Sequence, residues 1–133
     1  MRCSRCGKCC EKTEMLLSEA DIKRLINVGY KAENFVVYDK KGYAKLRNAG
    51  KYCVFYNAEK QLCKVYKYRP LGCRIYPVIF VEGKGVVVDD LCPSKHTVST
   101  AELQRKGRIL RKLLERIDVE AEKRVLHKSI KKA

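Results

Sequence analysis

Cys3-Ser4-Arg5-Cys6-Gly7-Lys8-Cys9-Cys10 places four thiols within eight residues. The run lacks apolar periodicity and carries Gly and Lys, so it reads as a solvated loop with no core in which to bury them. Something else must hold it. Thiolates spaced by two residues can turn toward one metal at about 2.3 Å. Adjacent Cys9 and Cys10 do not easily chelate one small ion together, which leaves one of them to serve a second centre, to bridge, or to stay a redox thiol. The other four cysteines, Cys53, Cys63, Cys73 and Cys92, are dispersed. Isolated cysteines commonly pack as small hydrophobes, a reading that applies most to Cys53 beside Val54 and Phe55. A disulfide scaffold is the other alternative, with a connectivity that spacing does not give.

The chain has 133 residues, about one domain, and room for a single modest core. Hydrophobic residues make up 46% and charged residues 34%, with eight Gly and three Pro, which excludes collagen-like, low-complexity and wholly disordered classes. No run approaches the roughly 20 apolar residues that cross a bilayer, and the N-terminus has no apolar leader. A cytoplasmic protein is expected, in which thiols bind metal or carry redox chemistry before they form disulfides. Thirty Lys and Arg against fifteen Asp and Glu give a formal charge of +15. Metal-bound thiolates would reduce that figure but leave the protein basic. Nucleic acid, an anionic membrane surface and an acidic protein are therefore candidate companions, besides metal ions.

Working outward from the cysteine run, Ser18 can N-cap a helix over about 18 to 28, with Asp21 at the third helical position. Leu17 can staple against Ile22, and Gly29 can close the helix. Phe35 to Tyr38 and Tyr43 to Leu46 flank Asp39-Lys40-Lys41-Gly42 and read as a hairpin, and Tyr52 to Tyr56 reads as a further short strand. Arg69-Pro70-Leu71-Gly72 suggests a short helical piece that Pro opens and Gly ends. Val78 to Val81 and Val86 to Val88, around Glu82-Gly83-Lys84-Gly85, give the strongest hairpin pattern. From Thr100, Leu103, Leu110, Leu113, Leu114, Ile117, Ala121, Val125 and Leu126 recur at helical spacing, with Gly107 weakening the start. This helix carries eleven Lys and Arg from Arg105 to Lys132 against five acids. The expected fold is a small, irregular, metal-stapled α+β domain with short hairpins and a long C-terminal helix. Residues 1–98 form the cysteine-cluster metal-binding domain, and 99–133 form a basic amphipathic helix that packs on it.

Two motif blocks carry a family resemblance. The first is Cys-x2-Cys-x2-Cys-Cys at Cys3 to Cys10. Cys53 follows, then the second block, Cys63-x2-Tyr66-x2-Arg69-Pro70-x2-Cys73-Arg74-x-Tyr76-Pro77, and finally Cys92-Pro93. Over about residues 1 to 95 the chain resembles the CxxCxxCC, or YkgJ-type, cysteine-cluster family. The resemblance implies a zinc- or iron-chelating domain. A similar cluster occurs in flagellin lysine methylases, where an iron–sulfur centre is implied. No Gly-rich fingerprint that would hold a methyl-donor cofactor is found here, so that activity is not carried over.

The metal-site candidates are Cys3, Cys6, Cys9, Cys10, Cys53, Cys63, Cys73 and Cys92. All-sulfur ligation suits zinc, an iron–sulfur cluster or copper(I) and argues against magnesium or calcium. The expected cofactor is zinc or an iron–sulfur cluster. His96, four residues after Cys92, reads more readily as a surface residue than as a ligand, and His127 as solvated. Arg69 and Arg74 flank Cys73 and can offset thiolate charge or donate hydrogen bonds to sulfur. Tyr66 and Tyr76 are expected to roof the site as core aromatics. No Ser-His-Asp set, paired carboxylates or phosphate loop is present, so no catalytic residue is assigned and an enzyme is disfavoured. The expectation is a metal-binding protein whose centre is structural, redox-active or used in metal handling. The alternative is a metal-stapled basic module that binds nucleic acid.

Overall fold

The computed structural model describes residues 14–132 except 58, 61, 91, 93 and 94. Cys3, Cys6, Cys9, Cys10 and Pro93 therefore lie outside the described residues. Strand β1 (Leu16–Leu17) leads into helix α1 (Glu19–Val28). Ser18 caps α1 as the sequence predicts: its Oγ accepts from Asp21 N–H at 3.2 Å, and Asp21 Oδ2 accepts from Ser18 N–H at 3.1 Å. Gly29 ends the helix at φ 116°, a left-handed position that favours glycine. After a single helical turn, α2 (Ala32–Phe35), the predicted hairpin forms from β2 (Val36–Tyr38) and β3 (Ala44–Leu46). The antiparallel sheet has the order β1-β3-β2, and β1 was not anticipated from the sequence.

The expected single strand at Tyr52 to Tyr56 is instead the junction of two small hairpins. The first pairs β4 (Asn48–Ala49) with β5 (Tyr52–Cys53), and the second pairs β6 (Tyr56–Asn57) with β7 (Leu62–Cys63). Gly50, at φ 65°, supplies the reversal that splits the first from an extended run. A 3-10 turn at Tyr66–Tyr68 precedes α3 (Leu71–Ile75), for which Pro70 is the N-cap. Gly72 lies inside α3 and does not end it. Strands β8 (Val78–Val81) and β9 (Gly85–Val88) form the predicted hairpin, with Val78 opposite Val88 and Val81 opposite Gly85. The Tyr76–Pro77 peptide bond is cis.

Helix α4 (Thr100–Lys132) spans 33 residues, about 50 Å. Two apolar clusters organise the rest. One gathers Leu17, Ile22, Leu25, Phe35, Val36, Ala44, Leu46, Cys53, Phe55 and Val65 from α1 and the three short sheets. The other joins Ile75 and Val78 to Leu110 of α4, with Leu103, Leu114, Leu71 and Val86 around them. Each fully buried Leu or Phe contributes roughly 2 kcal/mol of transfer free energy. Gly107, read from the sequence as a weak point, has a packing role. A Cβ there would come within 3.1 Å of Val86 Cγ1, so its absence lets α4 lie close on β9. The predicted stripe stays buried through Ile117 and Ala121, but Val125 and Leu126 are 40% and 60% exposed.

Polar contacts anchor the second half of α4. Arg124 Nη1 donates to Gly42 O at 2.8 Å, its Nη2 pairs with Glu19, and its guanidinium lies 5.2 Å from the Tyr38 ring centre. Tyr43 Oη donates to Asp118 Oδ1 at 2.5 Å. No helix among the described residues is long and apolar enough to cross a membrane.

Candidate metal centre

The two small hairpins place Cys53 and Cys63 in equivalent positions. Each is the last residue of its second strand, opposite Asn48 and Tyr56 respectively. In each, the following N–H closes the hairpin: Val54 N–H onto Arg47 O at 2.9 Å, and Lys64 N–H onto Phe55 O at 2.7 Å. Gly50, at φ 65°, and Asn57, whose Oδ1 accepts from Lys60 N–H at 3.1 Å, are the turn residues from which the two hairpins are readable. Cys53 is 5% exposed and belongs to the first apolar cluster, and Cys63 and Cys73 are half-buried against the same cluster. Residues ten and twenty positions apart thus meet one body of apolar side chains.

Cys73 lies in α3, and α3 is tied down by α1. Asp21 is buried, and its Oδ1 accepts from Leu71 N–H at 3.0 Å and from Arg24 Nη2 at 2.7 Å. Arg24 Nη2 also donates to Arg69 O at 2.9 Å. Asp21, the third-position partner of Ser18 in the capping box, therefore also fixes the Arg69-Pro70-Leu71 segment, a long-range role that helix-capping rules do not reveal. Met15 packs against the cluster that holds the cysteines, and a Cβ on Gly72 would collide with its Sδ. The chain that follows the N-terminal cysteine run accordingly passes the residue next to Cys73.

The other motif residues knit this segment together. Arg69 stacks with its Cζ 3.9 Å from the Tyr66 ring centre and donates from Nε to Tyr66 O at 2.9 Å. Arg74 Nη2 donates to Lys67 O at 2.8 Å. Among the described residues, no hydrogen bond of Arg69 or Arg74 goes to a cysteine sulfur. Tyr66 is 43% exposed and is not a core aromatic. It is the face on which a guanidinium stacks, because the 3-10 turn directs it outward. Tyr76 is half-buried, and its hydroxyl donates to Asp89 Oδ2 at 2.7 Å. Asp89 O in turn accepts from Cys92 N–H at 3.3 Å, which links the Cys92 loop to the end of α3. Cys92 is 8% exposed, whereas His96 and His127 are exposed.

Among the described residues, no three Cys, His, Asp or Glu side chains converge into a group able to hold a metal. The described thiols are the right chemistry for a soft metal but do not by themselves close a centre.

The profile of one family matches residues 2–103, a span that contains all eight cysteines. The chain belongs to the CxxCxxCC family. That family is described as a "putative zinc- or iron-chelating domain", and metal binding is the property it supports. A CxxCxxCC chain thus accounts for both motif blocks and leaves most of α4 beyond the family's match. The chain is also similar to an uncharacterized protein, MJ0661, of Methanocaldococcus jannaschii. The two are 28% identical over 78 residues, which is 56% of this chain and 43% of that protein. The chain therefore aligns with less than half the length of this relative. No solved structure matches it.

Proposed function

We propose that the protein binds zinc or an iron–sulfur cluster through cysteine thiolates, with Cys3, Cys6, Cys9 and Cys10 meeting Cys53, Cys63, Cys73 and Cys92. The observation that carries this reading is the gathering of Cys53, Cys63 and Cys73 on one apolar cluster, against which Met15 also packs. Met15 is five Cα steps beyond Cys10, so the chain can carry Cys10 no farther than roughly 18 Å from it. The first cysteine block is thereby tethered to the second.

The same cluster excludes water from one side of the thiols, which favours tight thiolate binding. Closed thiolate coordination makes a zinc centre structural, whereas an iron–sulfur cluster at the same thiols also carries electrons. Arg24, Asp21 and the Tyr76–Asp89 bond hold the loops that deliver Cys73 and Cys92. The stacked Arg69 and the exposed Arg74 keep two positive charges on the segment that bears Cys73 and offset the charge of bound thiolates.

Metal analysis and a visible spectrum of anaerobically purified protein test the reading. A brown protein containing iron and sulfide identifies a cluster, and a colourless one containing zinc identifies a structural ion. Chelation is expected to lower the melting temperature, because the hairpins that carry Cys53 and Cys63 have only two residues per strand. A verified metal-free, reduced sample that melts unchanged contradicts a structural role.

A further inference from the structure

Helix α4 uses one face for the core and turns an adjacent face toward a groove between itself, α1 and α3. Leu71, Ile109, Leu113 and Val119 make its apolar floor, and Ile109 and Val119 are 37% and 49% exposed. Arg74 from α3, with Lys112, Arg116 and Lys123 from α4, lines it with positive charge. Among the described residues, none of these four cations lies within 4.0 Å of a carboxylate.

The acids of the groove are largely committed elsewhere. Asp21 is buried and bound by Arg24, Ser18 N–H and Leu71 N–H. Glu120 Oε1 accepts from Glu19 N–H at 3.0 Å, where the N-terminal end of α1 offsets its charge. Only Glu115 of the lining acids is left to answer the four cations. From Ile109 to Lys123 the groove runs about 21 Å along α4, the length of a four-turn helix.

We propose that this groove docks an amphipathic helix from an acidic partner protein, with aliphatic side chains on Ile109 and Val119 and carboxylates on Lys112, Arg116, Lys123 and Arg74. Among the described residues no cysteine lines the groove, and Arg74 is the one lining residue shared with the metal reading. Two features favour a peptide over a nucleic acid. The floor is aliphatic, and among the described residues no aromatic side chain lines the groove for bases to stack on.

The test uses the full chain and a fluorescently labelled helical peptide of about 15 residues, with Leu at every third or fourth position and Glu between. Two comparison probes are polyglutamate and a duplex RNA, and binding is followed by anisotropy. The amphipathic acidic peptide is expected to bind best. Arg116→Glu and Val119→Ser are each expected to weaken it about tenfold, while Arg108→Glu, outside the groove, changes it less than about twofold. Metal content measured in each variant separates loss of the groove from loss of the domain. Failure of the peptide to bind overturns the proposal. Equal binding of polyglutamate or RNA, unaffected by Val119→Ser, also overturns it by showing a plain polyanion surface.

Discussion

Met15 fills the space that a side chain on residue 72 would occupy, so the segment leaving the N-terminal cysteine run and the helix carrying Cys73 are shaped to each other. Gly72 lies inside α3, where alanine has a helix propensity better by about 1 kcal/mol. Gly72→Ala is nevertheless expected to destabilise by about 1 kcal/mol, because overpacking displaces Met15. In a Met15→Ala background the same change should be neutral or stabilising. Urea unfolding of the four proteins measures the coupling, and additive effects would contradict this contact.

Asp21 connects α1 to α3. Asp21→Ala leaves Arg24, Ser18 N–H and Leu71 N–H without their acceptor in a buried place, and a loss of about 3 kcal/mol is expected. Asp21→Asn, which keeps an acceptor oxygen, should cost less. The midpoint of urea unfolding checks the order, and a silent Asp21→Ala would show that the clamp on α3 comes from elsewhere.

Arg124 fastens the far half of α4 to the β2–β3 turn. Arg124→Ala is expected to cost about 1 kcal/mol, since Glu19 is half-exposed and its ion pair is screened by solvent. Amide exchange should accelerate from Asp118 onward while Leu110 to Leu113 stay protected. Leu126→Ser, on a stretch already exposed, should change stability by less than about 0.5 kcal/mol.

The Tyr43 hydroxyl is held above the ordinary tyrosine pKa of 10.0, first by its hydrogen bond to Asp118 and further by burial and by the nearby Asp118, Asp39 and Glu122 charges. Because the folded value is raised, the stability from this contact is fully present below about pH 10, where the unfolded phenol also keeps its proton. It is lost as pH rises through the higher folded value. In an ultraviolet titration the Tyr43 phenolate should form late, and Asp118→Asn should bring it back toward the ordinary value.

Local chemistry was legible in the sequence. The Ser18–Asp21 box and Gly29 gave α1, the Asp39 to Gly42 turn gave β2 and β3, the valine runs gave β8 and β9, and the leucine stripe gave α4. What was not legible depends on neighbours distant in sequence. Asp21 reads as a cap and also accepts from Leu71 N–H. Strand β1 is only two residues long and exists through β3. The continuous apolar and aromatic character of Tyr52 to Tyr56 hid a break between two hairpins. Val125 and Leu126 have the right period, but Val125, though it meets the turn at Gly42, stays 40% exposed, and Leu126 is 60% exposed. Cys63 and Cys73 could be listed as candidate ligands from spacing, but their shared position with Cys53 on one apolar cluster became visible only in three dimensions.

Shared ligation by the two cysteine blocks is tested by comparing Cys6→Ser with Cys73→Ser, one from each block, by metal stoichiometry after anaerobic purification of the full chain. Each variant is expected to lose the same zinc or iron that the parent protein holds, with metal release tracking thiol modification in the parent. A parent that carries no stoichiometric metal, or a metal retained in full by both variants, would contradict it.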